Sequence, residues 1–171
     1  IGVETFRDCD ALTTITIPDS VATIEYAAFY HCDNLADVSL SNGVTTIGNS
    51  AFEDCKSLTD ITIPDSVTSI GNYAFAWCRS LENITLPDGI TSIGVETFRD
   101  CDALTTITIP GSVTSIGAGA FRNCDALTTI TIPDSVTSID DYAFYNCDRI
   151  KSVIIPKSVE SVGDYAFGYR S

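Results

Sequence analysis

The sequence predicts a β-rich solenoid, a fold in which short repeats coil and stack into one elongated domain. All eight phenylalanines follow one another at steps of 23 residues, from Phe6 to Phe167. All seven cysteines keep the same step, from Cys9 to Cys147. A fixed period in this range is typical of stacked repeats, because so small a unit cannot bury its apolar face alone. We therefore expect about seven stacked turns in a single domain, residues 1–171.

Each repeat contains a short segment in which polar and apolar residues alternate, such as Thr-Ile-Thr-Ile at residues 106–109. Alternation with β-branched residues predicts a half-buried strand. Proline usually follows and ends the strand, because proline has no N–H group for the ladder. A second apolar pair, such as Val67 and Ile70, predicts a short extended segment on the opposite side of the coil.

Two local conformations are predicted around each phenylalanine. Ala74, Cys78 and Leu81 have the i, i+4, i+7 spacing of one inward-facing helical turn. Such a turn is too short to be stable alone, so neighbouring repeats must hold it. A glycine precedes this segment in most copies, Gly71 in this one, and predicts a positive φ.

The charge of the chain excludes several classes of partner. Nine basic and 23 acidic residues give a formal net charge of −14. Nucleic acids and anionic membrane surfaces are bound through Lys and Arg, which are scarce here. No stretch approaches the roughly 18 apolar residues of a membrane span. We therefore expect neither nucleic-acid binding nor membrane insertion by this chain.

Both ends of the sequence lie inside repeats. Ile1 corresponds to Ile24, and the last residues come shortly after Phe167. Residues 1–18 are identical to residues 93–110, which indicates duplication of a block or deliberate assembly from repeats. We expect a fragment of a longer array without recognisable caps. Its end turns would expose apolar side chains and strand edges, which favours end-to-end self-association.

The repeat resembles the BspA-like, or treponemal-type, leucine-rich repeat. The pattern L-x-x-I-x-I-P-x-x-V-x-x-I-G-x-x-A-F-x-x-C runs from Leu58 to Cys78, and its copies cover essentially the whole chain. The resemblance implies an α/β-type leucine-rich-repeat solenoid, a right-handed coil with a parallel sheet on its concave side and short helical turns. It also implies a secreted or surface-exposed module that adheres to host matrix proteins or to other cells.

The cysteines are interpreted as buried free thiols rather than as disulfides, metal ligands or nucleophiles. Stacked side chains point the same way, and their number is odd. Single cysteines also lack the C-x-x-C spacing of zinc sites. His31 is the only histidine and lies in a column that accepts many residue types, while no serine stands out as an activated nucleophile. We expect no enzyme activity, no cofactor and no metal.

The most individual residues lie in the second to fourth repeats. Threonine ladders follow the outward strand positions, and acidic and amide side chains interrupt them there. Three aromatic side chains lie on a neighbouring edge. An acidic patch with an aromatic rim fits a protein contact, whereas drift at exposed positions is the alternative explanation. The candidate ligand-binding residues are Asp37, Asp60, Glu82, Asn83, Tyr30, His31 and Trp77.

These patterns favour a non-enzymatic protein-binding or adhesion module that is extracellular or lies at the cell surface. The expected partners are host matrix or cell-surface proteins, bound through a rigid curved face. One alternative is a structural spacer that projects another domain. A second is an ice-binding surface, since regular Thr-x-Thr rows can order water. Only residues 14–16, 106–108 and 129–131 have both threonines, which disfavours a match to an ice lattice.

Overall fold

A computed structural model describes residues 1–169 as a stack of short parallel strands. Six longer strands are β1 (Thr14–Ile17), β3 (Asp37–Leu40), β5 (Asp60–Thr62), β7 (Asn83–Thr85), β9 (Thr106–Thr108) and β11 (Thr129–Thr131). Two-residue strands alternate with them or follow them: β2 (Thr23–Ile24), β4 (Thr46–Ile47), β6 (Ser69–Ile70), β8 (Ser92–Ile93), β10 (Ser115–Ile116), β12 (Ser138–Ile139) and β13 (Ser161–Val162).

All strand pairs are parallel and keep the register of the repeat. β1, β3, β5 and β7 form one sheet, and β9 pairs with β11 beside it. The short strands form two further sheets, β2-β4-β6 and β8-β10-β12-β13. Ile15 pairs with Val38 and Ile61 with Ile84, so equivalent residues of successive turns lie side by side. The predicted parallel-sheet solenoid is therefore confirmed.

The longer strands place one apolar side chain inside between two exposed polar ones. Ile61, Ile84 and Ile107 are buried, and the residues on either side of each are exposed. This is the half-buried strand that the alternating pattern predicts. The outward side chains of these strands consequently form one continuous polar face.

A column of stacked phenylalanine rings runs through the core. Neighbouring rings lie within 13° of parallel, with centroids 5.0 to 5.8 Å apart. Six of the rings are almost completely buried, from Phe29 to Phe144. Aromatic pairs at such distances contribute about 0.5–1.5 kcal/mol beyond the burial of their area. Each 23-residue repeat thus contributes one phenylalanine ring to the stacked core.

The segment around each phenylalanine is a series of tight turns, so the prediction of short helical turns is wrong. Tyr73 and Trp77 take positive φ angles of 59° and 58°. The N–H groups of Tyr73 and Phe75 donate to Val95 and Thr97 of the next turn, both at 3.0 Å. These N–H groups are therefore not available for a helical i→i−4 bond. Residues 1–169 contain no helix, so the α/β class is corrected to a β-solenoid, and none of their segments forms a membrane-spanning helix.

The glycine column allows the backbones of neighbouring turns to approach closely. The prediction of a positive φ at these glycines is wrong. A Cβ atom on Gly71 would lie 2.4 Å from the backbone nitrogen of Asn49. One on Gly117 would lie 2.9 Å from the carbonyl carbon of Gly94. Among the glycines of residues 1–169, only Gly119 has a positive φ, of 61°.

The structure contains about six turns, so the prediction of about seven is too high. Residues 152–155, the expected seventh long strand, form no strand in the structure. Val153 is only half-buried and Ile154 is 83% exposed. This segment borders an open cavity of about 610 Å³ that Phe144, Ile150 and Val153 help to line. It therefore lacks the packing that holds the other strands in place.

We predict that Gly71→Ala lowers the free energy of unfolding by about 1–3 kcal/mol, because the new methyl group forces two backbones apart. Gly111→Ala is the matched control, since no atom lies within 4 Å of a Cβ built at that position. Urea unfolding followed by circular dichroism measures both variants. Equal stability of the two would contradict the close-approach explanation.

Candidate functional site

The predicted acidic residues lie on the polar face of the longer strands, at the first or preceding position of neighbouring strands. Asp37 pairs in register with Asp60, and Asp60 with Asn83. The Asn83 side-chain amide donates to Asp60 Oδ1 at 2.9 Å, and Glu82 is exposed beside Asn83. We call Asp37, Asp60, Glu82 and Asn83 the strand patch.

The strand patch borders a shallow depression on the sheet. The depression has a volume of about 580 Å³, and its lining includes Asp37, Asp60 and Thr62. Acidic side chains on neighbouring strands repel one another, so this part of the ladder costs a few tenths of a kcal/mol or more. Strands β1, β9 and β11, which carry both threonines, are not contiguous, because β3, β5 and β7 separate β1 from the other two.

The predicted aromatic residues lie among the turns beside the phenylalanine column. Tyr30, His31 and Trp77 are all half-buried, and we call them the edge cluster. Tyr30 and Trp77 line a second depression of about 470 Å³, together with Asp54 and Lys56. His31 and Trp77 occupy the same column and both take positive φ angles, of 59° and 58°.

The strand patch and the edge cluster line different depressions. The residues that line the depression beside the strand patch include none of those that line the one beside the edge cluster. The structure thus brings Asp37, Asp60 and Asn83 together, and it separately places Tyr30 and Trp77 around one hollow. A ligand in either depression would meet a different set of side chains.

Charged side chains surround His31. His31 was predicted from the sequence as a site residue, whereas its partners Asp33, Asp54 and Lys56 were not. His31 Nε2 lies 2.7 Å from Asp54 Oδ2, and His31 Nδ1 lies 3.5 Å from Asp33 Oδ1. Lys56 Nζ contacts both carboxylate oxygens of Asp33, at 2.9 and 3.0 Å. Asp33 and Lys56 are one repeat apart, so the 23-residue step already indicated that they stack.

The same cluster has the geometry of a small cation site. His31, Asp33 and Asp54 each offer one ligand atom, and these atoms lie within 4.8 Å of one another. The Lys56 ammonium group already contacts Asp33 and lies 3.6 Å from Asp54. A metal ion would therefore have to displace this charge, and these side chains already contact one another.

Arginine side chains cover two rings of the edge cluster. The guanidinium carbon of Arg7 lies 4.9 Å from the centroid of Tyr30, and that of Arg99 lies 4.6 Å from Trp77. Cation–π contacts of this kind are worth about 0.5–1 kcal/mol at exposed sites. Both rings are thereby held in place, and each arginine comes from a neighbouring turn.

The cysteines form a ladder inside the stack. Each thiol from Cys32 to Cys147 donates to a phenylalanine carbonyl of the preceding turn, as Cys78 does to Phe52 at 3.1 Å. Burial raises the pKa of Cys32 to about 11, and it also raises the pKa of Cys78. The thiolate is the nucleophilic form, so these groups are poor nucleophiles at neutral pH.

The repeat and the sheet together define the family. The profile of the BspA type leucine rich repeat region matches residues 1–112 and 45–171, in six copies. The chain therefore belongs to the BspA-type leucine-rich repeat family. No functionally curated protein matches the chain significantly.

Solved bacterial structures share this fold over most of the chain. A leucine-rich repeat protein from Bacteroides ovatus is 34% identical with a TM-score of 0.93, over 97% of this chain and 43% of that one. The Treponema pallidum leucine-rich repeat protein is 33% identical with a TM-score of 0.84, over 89% and 73%. A leucine rich cell surface protein from Faecalibacterium prausnitzii is 36% identical with a TM-score of 0.75, over 91% and 44%. The chain thus spans less than half of the first and third of these proteins.

We predict that a disulfide reagent at pH 8 labels Cys9 rapidly in the native protein and the other cysteines slowly. Cys9 is half-buried, whereas Cys32 to Cys147 are buried, and their burial disfavours the reactive thiolate. The measurement is the release of coloured thiol with time, before and after addition of urea. Cys9→Ser should remove the rapid phase. Rapid native labelling of several thiols would contradict the buried ladder.

Proposed function

We propose that this chain is a non-enzymatic protein-binding and adhesion module of a secreted or cell-surface protein. The observation that carries the proposal is the strand patch, where Asp37, Asp60 and Asn83 stand in register on the polar face. Elsewhere this column holds threonine or serine. In the strand patch, the residues of this column differ from those of the other turns. The patch lies next to a depression large enough for partner side chains.

A stacked scaffold suits such a contact because the face exists before the partner arrives. Binding loses affinity when side chains or loops must be ordered, and a rigid surface avoids much of that cost. The inward residues of the strands are buried, so their backbone is fixed by packing. The strand patch and the edge cluster are therefore presented in one geometry, whichever of them the partner meets.

The extracellular location is supported by a neighbour, and the thiol ladder is compatible with it. The F. prausnitzii structure is described as a leucine rich cell surface protein. Buried cysteines that donate to backbone carbonyls are protected from oxidants that act on exposed thiolates. The proposed partners are host matrix or cell-surface proteins.

We predict that Asp37→Thr combined with Asp60→Thr lowers retention on an immobilised basement-membrane extract by about tenfold, the change expected for loss of about 1.4 kcal/mol. Threonine already occupies this column in β1, β9 and β11, so the strands should remain intact. The control is Asp19→Asn combined with Asp134→Asn, which removes the same charge at exposed turn positions that do not line the depression. Retention is measured by surface plasmon resonance.

Unchanged retention of the strand-patch variant would exclude that patch as the contact. Trp77→Asn then tests the edge cluster separately, since asparagine occupies the same column at Asn123 with a φ of 59°. If the wild type itself shows no retention on the extract, the adhesion proposal fails and the alternative, a spacer that projects another domain, is favoured.

End-to-end self-association is a further part of the proposal. The last turn exposes Ile154, Ile155 and Val162, by 83%, 40% and 48%. Apolar groups in this arrangement favour contact with another stack. We predict a weight-average mass that rises with concentration in analytical ultracentrifugation, and that falls when Ile154 is replaced by Thr. A concentration-independent monomer would contradict it.

A further inference from the structure

Three arginines occupy the same column, one residue after the phenylalanine: Arg7, Arg99 and Arg122. The first two each pair with a carboxylate three residues earlier and with another one residue later. Arg99 Nη1 lies 2.7 Å from Glu96, and Arg99 Nε lies 2.8 Å from Asp100. In these two turns the guanidinium pairs with two carboxylates of its own repeat.

The third arginine has lost both partners. Gly119 and Asn123 stand where the other two turns have glutamate and aspartate. Within residues 1–169, Arg122 makes no ion pair, and its buried Nε atom has no hydrogen-bond partner. Asp141 belongs to the next turn, directly before Tyr142, and its Oδ1 accepts the backbone N–H of Asp164. The cation at Arg122 is therefore not neutralised by a described side chain.

Two tyrosines from the next turn hold this guanidinium. Its central carbon lies 5.9 Å from the centroid of Tyr142 and 5.7 Å from that of Tyr145. The two rings meet edge to face, with centroids 5.3 Å apart. Arg122 and Tyr145 are half-buried and Tyr142 is 39% exposed, so both phenol rings and the cation reach the surface.

We propose that Arg122, Tyr142 and Tyr145 form a binding site for a single carboxylate side chain, flanked by apolar residues, on a partner polypeptide. A guanidinium recognises a carboxylate through two parallel hydrogen bonds, and the tyrosine rings offer apolar area beside it. Arginine and tyrosine are also the residues most enriched at the energetic centres of protein interfaces. The site does not involve the strand patch and does not depend on it.

The charge of the chain favours this ligand over a polyanion. A net charge of −14 repels nucleic acids and highly charged glycans at long range. A segment with one acidic residue and otherwise apolar side chains can bind the Arg122 cation. Its single negative charge is repelled by the chain much less than a polyanion is. Three other cationic side chains are exposed in this region: Arg149, Lys151 and Lys157. In the described part of the chain, none of them lies over an aromatic ring as Arg122 does.

The test is a titration of the ¹⁵N-labelled protein with the acetylated and amidated peptide Ser-Leu-Glu-Leu-Ser. The Nε–Hε resonances of the arginines report on each guanidinium separately. We expect a saturable shift at Arg122, weakened by salt, and no comparable shift at Arg99, whose carboxylate partners already engage it. The same peptide with Gln in place of Glu should shift neither resonance.

Gly119→Glu supplies the matched variant, because it restores the carboxylate that the other two turns carry. The backbone φ suits this change, since Glu96 has a φ of 50° and Gly119 one of 61°. The new Cβ would lie 3.0 Å from Cγ of Glu96, a flexible side chain that can shift. We expect the affinity for the Glu peptide to fall by about tenfold or more, while Arg122 itself is retained. Arg122→Gln should abolish binding; because it removes the Arg122 resonance, binding is followed there by the backbone amide resonances of Tyr142 and Tyr145. Circular dichroism confirms the fold of both variants.

Three results of the titration would overturn the site. These are no shift at Arg122 at saturating peptide, equal shifts with the Glu and Gln peptides, and equal shifts at Arg99 and Arg122. Undiminished binding by the Gly119→Glu protein would also overturn it, because the installed carboxylate must compete with the ligand. Neither retention on matrix extract nor its loss affects this outcome, so the site and the proposed adhesion function are tested apart.

Discussion

The separation between neighbouring turns is the constraint on which the rest of the structure depends. Parallel strands lie about 4.8 Å apart, and the phenylalanine rings follow at 5.0 to 5.8 Å. Every other column must adapt to that spacing. It leaves no room for a side chain where Gly71 passes over Asn49, and it brings each thiol within reach of the preceding phenylalanine carbonyl.

The period of the sequence was sufficient to predict the stack, its parallel strands and its buried columns, but not the conformation between them. The spacing of Ala74, Cys78 and Leu81 fits one helical turn and equally fits two successive tight turns. The choice depends on where the N–H groups of Tyr73 and Phe75 find acceptors, and those acceptors lie in the next repeat. The role of the glycine column was ambiguous for a similar reason. Glycine is favoured both where φ is positive and where two backbones approach closely, so the sequence alone does not distinguish the two.

The candidate site was predictable where it depended on strand register and not where it depended on turn geometry. Asp37, Asp60 and Asn83 share one column, so their alignment follows from the repeat alone. The column of His31 and Trp77 looked indifferent to residue type, yet its frequent Asp and Asn are the residues that tolerate a left-handed backbone. That preference was a readable signal of the turn.

Residues 1–18 and 93–110 have the same sequence but different surroundings. Phe98 is fully buried, whereas Phe6 is only partly covered. The two arginines of these segments keep the same carboxylate partners, yet one lies over a tyrosine and the other over a tryptophan, each donated by a different adjoining turn. Copying a block therefore does not copy its surface. When a repeat protein lengthens by duplication, a copied block meets new neighbouring turns. Its surface side chains then make new contacts, even before any residue within the block has been substituted.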